Sequence, residues 1–243
     1  MKAREKPKFE SETGRQIYDY VERNGAVKAT EIADYVHSNP EEFRHQLAML
    51  KRDGYLEEHE GRLRLALETG TAEQYSTDEF GFVVRPAREE DLSGIIGAIR
   101  QVAAERTYIV AETVAEALDH EGALLRHNER ESRVFFVASV DDEVVGWAHL
   151  TVPEFEKLRH TAELTVGVLE DYRGHGIGSH LVQRGLEWAR SNGFEKVYQS
   201  LPATNQEAVK FLESQGWETE AIRQKHYKIG DEYVAEQMMA YLF

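Results

Sequence analysis

The stretch from Val166 to Leu181, VGVLEDYRGHGIGSHL, constrains the fold more than any other part of this sequence. A β-branched run passes into a turn holding Gly174, Gly176 and Gly178 and then into a helix-forming segment, so it reads as strand, tight turn and helix start. Glycine permits backbone angles and close approaches there that a side chain would block. Successive N–H groups at the helix start can then converge on an anion at the positive end of the helix, and a pyrophosphate is the obvious guest. Arg173 adds a fixed positive fork beside it. Two other users of the same physics are excluded by detail. A P-loop requires Gly-Lys-Ser/Thr, which is absent, and a dinucleotide fold wants an acidic residue at the end of the next strand, where Ser200-Leu201-Pro202 stand.

Ahead of this stretch the hydrophobic pattern changes character twice. Residues 1–10 are basic and aperiodic, with Lys2, Arg4, Lys6 and Lys8, and predict a mobile arm. Over 11–68, Ile17, Tyr20 and Val21 precede Asn24-Gly25, Ile32, Ala33 and Val36 precede His37-Ser38, and Phe43, Leu47 and Leu50 follow Pro40. These are three short helices with recognisable starts and stops. Residues 55–58 and 62–67 then flank Glu60-Gly61 as a hairpin. Three helices and a two-stranded wing, in that order, resemble a winged helix-turn-helix domain. Residues 69–80 carry no apolar period and predict a linker. From 81 to 243 the pattern predicts an α/β (α+β) domain. Its strands fall at 81–85, 134–139, 144–152, 162–169 and 196–201, its helices at 89–104, 114–127, 179–191 and 205–215, and a hairpin over 218–229 and 232–242 closes it.

Arg173-x-x-Gly176-x-Gly178 resembles the Arg/Gln-x-x-Gly-x-Gly/Ala signature of the GNAT superfamily of acetyl-CoA-dependent N-acetyltransferases. Val166-Gly167-Val168 upstream, and Asn205-x-x-Ala208 with Phe211, Leu212, Gly216 and Trp217 downstream, are similar to that superfamily's central strand and second motif. The run from Arg159 to Val166 is similar to the branch typified by phosphinothricin acetyltransferase. The resemblance implies a mixed, mostly antiparallel sheet flanked by helices, with acetyl-CoA as cosubstrate and no metal. It implies that amides of Gly174, His175, Gly176, Ile177, Gly178 and Ser179, together with Arg173, hold the coenzyme pyrophosphate. Main-chain groups of Val166 and Val168 would hold the pantetheine and thioester, and Asn205 would face the pantetheine near the sulfur. Asn205 is equally well placed to cap its helix.

An amine acceptor is protonated in neutral water and must lose a proton before it attacks a thioester. Glu163 matches the glutamate of the branch's strand and is the expected proton acceptor, with a solvated or ion-paired strand glutamate as the alternative. His160 is the second candidate for the proton path. Many members of the superfamily carry a tyrosine where this chain has Leu212, so the group that protonates the departing thiolate is unassigned; Tyr172 and Tyr198 are available phenols suited to packing. The expected acceptor regions, Thr107-Tyr108-Ile109 and 153–160, are acidic through Glu105, Glu112, Glu154 and Glu156, which favours a cationic amine: a polyamine, a lysine side chain or a protein N-terminus.

Charge enters the argument twice more. The formal net charge is −15, of which −2 falls in residues 1–70 and −13 in the rest. Such a surface repels nucleic acid and anionic membranes and suits concentrated salt, the expected origin of the imbalance. On the third helix and wing, Arg44, His45, Lys51, Arg52, Arg62 and Arg64 are offset by Glu41, Glu42, Glu57, Glu58 and Glu60, so a protein-docking or dimerisation module is favoured over a DNA reader for 11–68. The competing functional class is a non-catalytic regulator that senses acetyl-CoA and acts on DNA. The sequence has no cysteine, which excludes thiolate chemistry, and neither a membrane-spanning apolar run nor an apolar segment after the charged N-terminus, so a cytoplasmic protein is expected.

Overall fold

The computed structural model describes residues 2–3, 5–106, 108–153 and 155–243, without the side chains of Glu105 and Arg106. Arg4 of the arm, Thr107 and Glu154 of the acceptor-side segments, and the side chain of Glu105 lie outside the described residues. The chain opens with helices α1 (Glu12–Asn24), α2 (Ala29–Val36) and α3 (Pro40–Arg52), then strands β1 (Leu56–His59) and β2 (Arg62–Leu65). The Ser11 hydroxyl accepts from the Gly14 amide to cap α1, and the Asn39 side chain accepts from Glu41 and Glu42 to cap α3. Glu60 and Gly61 both take positive φ, 51° and 72°, which matches a tight hairpin turn to the right-handed twist of its strands. Ile17, Tyr18, Val21, Ile32, Leu56 and Leu63 give this segment its own core.

The larger part is built from β3 (Glu73–Ser76), β4 (Gly81–Pro86), α4 (Leu92–Arg106), α5 (Ile109–Glu121), β5 (Arg126–His127), β6 (Ser132–Val140), β7 (Glu143–Val152), β8 (Thr161–Val168), α6 (Ile177–Ser191), β9 (Lys196–Pro202), α7 (Gln206–Ser214), β10 (Glu218–Ile229) and β11 (Glu232–Leu242). The sheet runs β10-β11-β9-β8-β7-β6-β4-β3, with β5 on β6, and each pairing is antiparallel except β8 with β9. Because side chains alternate along a strand, β6 sends Val134, Phe136 and Ala138 toward α6 and α7, and Phe135 and Val137 toward α4 and α5. The result is a sheet with helices on both faces, as expected from the pattern.

Three boundaries differ from the sequence expectation. The helix expected over 114–127 ends at Glu121, because Gly122 takes a left-handed φ of 67° and its amide closes back on Leu118 at 2.9 Å; Arg126 and His127 become β5. Within the expected linker, residues 73–76 form a strand paired with β4, and the Arg184 guanidinium holds it in place by pairing with Glu73 and donating to the carbonyls of Thr69 and Thr71. The arm is held at its second described residue: Ala3 is buried, its amide donates to Asn192 Oδ1 at 3.0 Å, and its carbonyl accepts from the Ser132 hydroxyl at 2.9 Å.

The two parts share buried polar contacts. The Tyr18 hydroxyl donates to the His127 carbonyl at 2.6 Å, and Arg126 Nη1 donates to the Glu22 carbonyl at 2.6 Å and lies 3.3 Å from its carboxylate. Glu22 and Arg126 are both buried. Arg126 Nε also pairs with Glu121 at 3.0 Å, so it is the loss of Arg126 that would leave the buried Glu22 carboxylate without a cation, at a cost of about 3–5 kcal/mol.

Candidate active site

The one parallel pairing in the sheet creates the cleft. β8 and β9 are paired only from Thr161 to Glu163 against Lys196 to Tyr198, whereas β7 accompanies β8 as far as Val168. Past Glu163 the two parallel strands part, and a cavity of about 390 Å³ opens between them. Val166, Gly167 and Val168 line it from β8, Gln199 and Leu201 from β9, and Asn205, Ala208, Phe211 and Leu212 from the α7 side. Gly167 is required for a specific reason. A Cβ there would fall 2.1 Å from the ring of Trp147, which is fully buried opposite it on β7.

At the far end of β8 the chain turns into α6. Gly174 and Gly176 both take φ of 82°, a conformation strained for any other residue, and α6 begins after Gly176 without a side-chain cap. The first-turn donors of an uncapped helix are thus presented beside the cavity, which Gly174, Gly176, Gly178 and Ser179 line. Arg173 also lines it, and its Nε donates to the Val168 carbonyl at 2.9 Å, so part of the guanidinium fastens the turn to the end of β8. Of the remaining residues expected on this side, Ile177 turns its side chain into the core and His175 packs near Phe80, with ring centroids 5.0 Å apart. Asn205 lines the cavity and caps α7, its Oδ1 accepting from the Ala208 amide at 3.2 Å.

The opposite side of β8 is different chemistry. Glu163 is half-buried and is not among the residues lining the cavity; burial first, and the charge of Glu236 second, push its carboxyl above the ordinary glutamate value. Its charge acts in turn on three phenols, Tyr108, Tyr198 and Tyr227, all raised chiefly by burial, Tyr198 to about 12. Tyr108 is the most deeply placed. It lines the cavity, its hydroxyl accepts from the Gln199 amide, and a second bond joins it to the backbone of Val166. Leu212 is buried at the cavity wall and offers no proton. Tyr172 lines the cavity with its ring edge-on to Phe80, while Tyr198 stands beside Glu163 across β8 and β9. His160 lies just before β8, where its carbonyl accepts from Glu195 at 2.8 Å.

Sequence reasoning named Tyr108 only as part of a variable segment and passed over Gln199, Tyr227 and Glu236. No local signal marks them, because each gains its meaning from a partner in another element. Among the described residues no group of three or more His, Asp or Glu is placed to hold a metal, and no helix is long and apolar enough to cross a membrane.

Known proteins are similar to this chain in sequence and fold. Residues 98–217, which contain the glycine turn, Glu163, Tyr108 and α7, match the sequence model of the Acetyltransferase (GNAT) family. An L-methionine sulfoximine/L-methionine sulfone acetyltransferase of Pseudomonas paraeruginosa is 29% identical over 137 residues, covering 56% of this chain and 79% of the relative. An N-alpha-acetyltransferase of Sulfurisphaera tokodaii is 27% identical over 117 residues, covering 44% and 70%. A Salmonella typhimurium structure described as a putative acetyltransferase with its cofactor acetyl-CoA has the same fold over 66% of this chain and 93% of its own, with a TM-score of 0.55 at 18% identity. The parted parallel strands, the glycine turn between them and the sequence match agree: the domain that forms this cleft belongs to the acetyltransferase (GNAT) family, and the protein is an acyltransferase.

Proposed function

We propose that the protein transfers an acetyl group from acetyl-CoA to a primary amine, on a small molecule or on a protein lysine or N-terminus. The observation that carries the reading is the union of two coenzyme-ready features in one cavity: the uncapped start of α6 behind Gly174 and Gly176, and the edge of β8 that β9 leaves at Glu163. The first suits a pyrophosphate, and the second offers extended backbone to a pantetheine arm. Amides from Gly174 to Ser179, with Arg173, take the phosphate role, Val166 and Val168 the pantetheine and thioester, and Asn205 the sulfur end while it caps α7. Glu163 removes the proton from the acceptor ammonium. Its raised carboxyl brings it closer to the operating pH, which favours a base of this kind. Tyr108 supplies the proton for the departing thiolate, since its burial keeps the phenol protonated at the cavity wall. The run from Arg159 to Val166 supports the phosphinothricin-type branch.

For residues 11–68 the winged-helix reading carries a docking or regulatory role. Lys51, Arg52 and Arg64 pair with Glu58, Asp53 and Glu57, and Arg62 donates to the Ala26 carbonyl, so much of the basic charge a DNA reader would present is already engaged. The names of the relatives guide the acceptor panel: L-methionine sulfone, a peptide with a free N-terminus, and a polyamine as the test of the acidic loops. Transfer from acetyl-CoA to one of them, measured as free thiol released in dilute and in molar KCl, supports the reading. Release from none of them, in either salt, would falsify it.

A further inference from the structure

The β10–β11 hairpin leaves its regular register near the cleft. Arg223 stands opposite Glu236 and Tyr227 opposite Val234, so β10 uses Gln224, Lys225 and His226 where β11 uses Ala235 alone, and Lys225 takes a left-handed φ of 55°. A bulge of this kind re-aims side chains. Here it gathers them on one carboxylate. Arg223 Nη1 donates to Glu236 Oε2 at 3.1 Å, the Tyr227 hydroxyl donates to Oε1 at 3.0 Å, and His226 Nε2 lies 3.6 Å from Oε2. Glu236 is only 5% exposed, whereas Arg223 reaches it from a side chain that is 54% exposed. Both oxygens are therefore held, and the carboxylate is fixed in place on β11, opposite Pro202 of β9.

That charge acts on Glu163. The groups set around Glu163 are Glu236 on β11, Tyr227 on β10, Tyr198 on β9, Tyr108 at the start of α5, and Thr151 opposite it on β7, with His149 two pairs further along against Thr165. Burial pushes His149 down to about 3, so it is neutral, and Arg223 and His226 enter only through Glu236. Two carboxylates and three phenol rings are thus collected from five separate elements. Anionic oxygens beside aromatic faces are chemistry that favours a cation.

We propose that Glu236 is a positioning carboxylate of the acceptor side, whose fixed charge keeps Glu163 ready to take a proton and draws a cationic amine toward it. The proposal rests on the reading of Glu163 as the proton acceptor. Glu236→Gln preserves the size of the side chain and an oxygen for Tyr227 but removes the charge. In the full-length protein, the Glu163 carboxyl is titrated by carbon NMR. In Glu236→Gln its midpoint should fall by about one pH unit toward an ordinary glutamate, and Glu236→Asp should keep most of the elevation. The KM for a peptide with a free N-terminus should rise several-fold in Glu236→Gln while the KM for acetyl-CoA stays constant. A midpoint that does not move in a folded Glu236→Gln protein overturns the proposal. Should that variant fail to fold, Arg223→Gln is the substitute, since removing an exposed cation from the outer side of Glu236 must raise the Glu163 midpoint, and an unchanged midpoint again overturns it. The underlying reading fails in a different readout: full transfer by Glu163→Gln would remove Glu163 as the proton acceptor without touching the NMR comparison.

Discussion

The two sides of the cleft are made of different material. The turn into α6 and the free edge of β8 present backbone, shaped by glycines within one short stretch of chain. The side that holds Glu163 presents side chains from α5, β8, β9, β10 and β11, and its properties come from burial and mutual charge. A backbone surface tolerates substitution where φ is ordinary and a Cβ has room, and fails abruptly where φ is positive or, as at Gly167, where a Cβ would meet a neighbour. A side-chain surface degrades by steps, each with its own pH signature.

Glu163→Gln tests that contrast most severely. Transfer should fall about 100-fold to 10,000-fold near neutral pH, with coenzyme affinity hardly changed, because the backbone surface does not depend on this carboxylate. The sign of the pH effect follows from the mechanism. The proposed base works when ionised, and burial and Glu236 raise its midpoint, so wild-type activity should rise with pH through a limb above the ordinary glutamate value. The variant lacks that limb, and its deficit shrinks as the acceptor amine deprotonates by itself. A pH–rate profile with one acceptor checks this, and a variant that retains more than about a third of wild-type transfer would end the comparison.

Gly176→Val makes the converse cut. A β-branched residue at φ of 82° strains the turn, so acetyl-CoA affinity should weaken about tenfold or more and its stabilising shift in Tm should shrink. The Glu163 midpoint should stay where it was. Equal effects on both measurements would mean that the two sides are one unit.

The division also explains what the sequence revealed. Val166 to Ser179 and Asn205 to Trp217 are contiguous, so strand, turn and helix start could be read from residue order, and the lining of the cavity follows that order. Glu236 and Tyr227 sit in a hairpin whose sequence predicts only strands. The two-residue excess in β10 that turns Tyr227 back is a property of pairing, and nothing in Gln224-Lys225-His226 announces it. β3 was hidden for another reason: an edge strand with alternate residues in water needs no apolar run, and Tyr75, stacked 5.3 Å from Phe82, is the one aromatic anchor it carries. The early stop of α5 was legible in Gly122, but Leu124 and Leu125 continue the apolar pattern past it.

Tyr108 joins the two sides, so Tyr108→Phe sharpens the comparison with a smaller effect. Losing the hydroxyl that meets Gln199 and the Val166 backbone should lower kcat by about tenfold and leave the acid limb of the profile in place. A displaced limb would show that the phenol tunes Glu163 instead. The smallest expected effect is at Asn205. Asn205→Ala removes a cap and should cost about 1 kcal/mol of stability. If coenzyme affinity also falls by tenfold, Asn205 contributes a ligand contact; if it does not, the cap is its whole role.

Ala3 finds its partner Asn192 at a separation of 189 residues. At roughly 5–20 residues polymerised per second, the arm waits about 10–40 s before Asn192 exists to receive its amide. The three-helix segment completes its core from residues within its own stretch during that interval. Seating of Ala3 between Ser132 and Asn192 is therefore a late event in the birth of the chain, and it reports that β6 and the end of α6 have come together. An amide that exchanges quickly on nascent chains and slowly on finished ones would time the closure of the sheet from a single position.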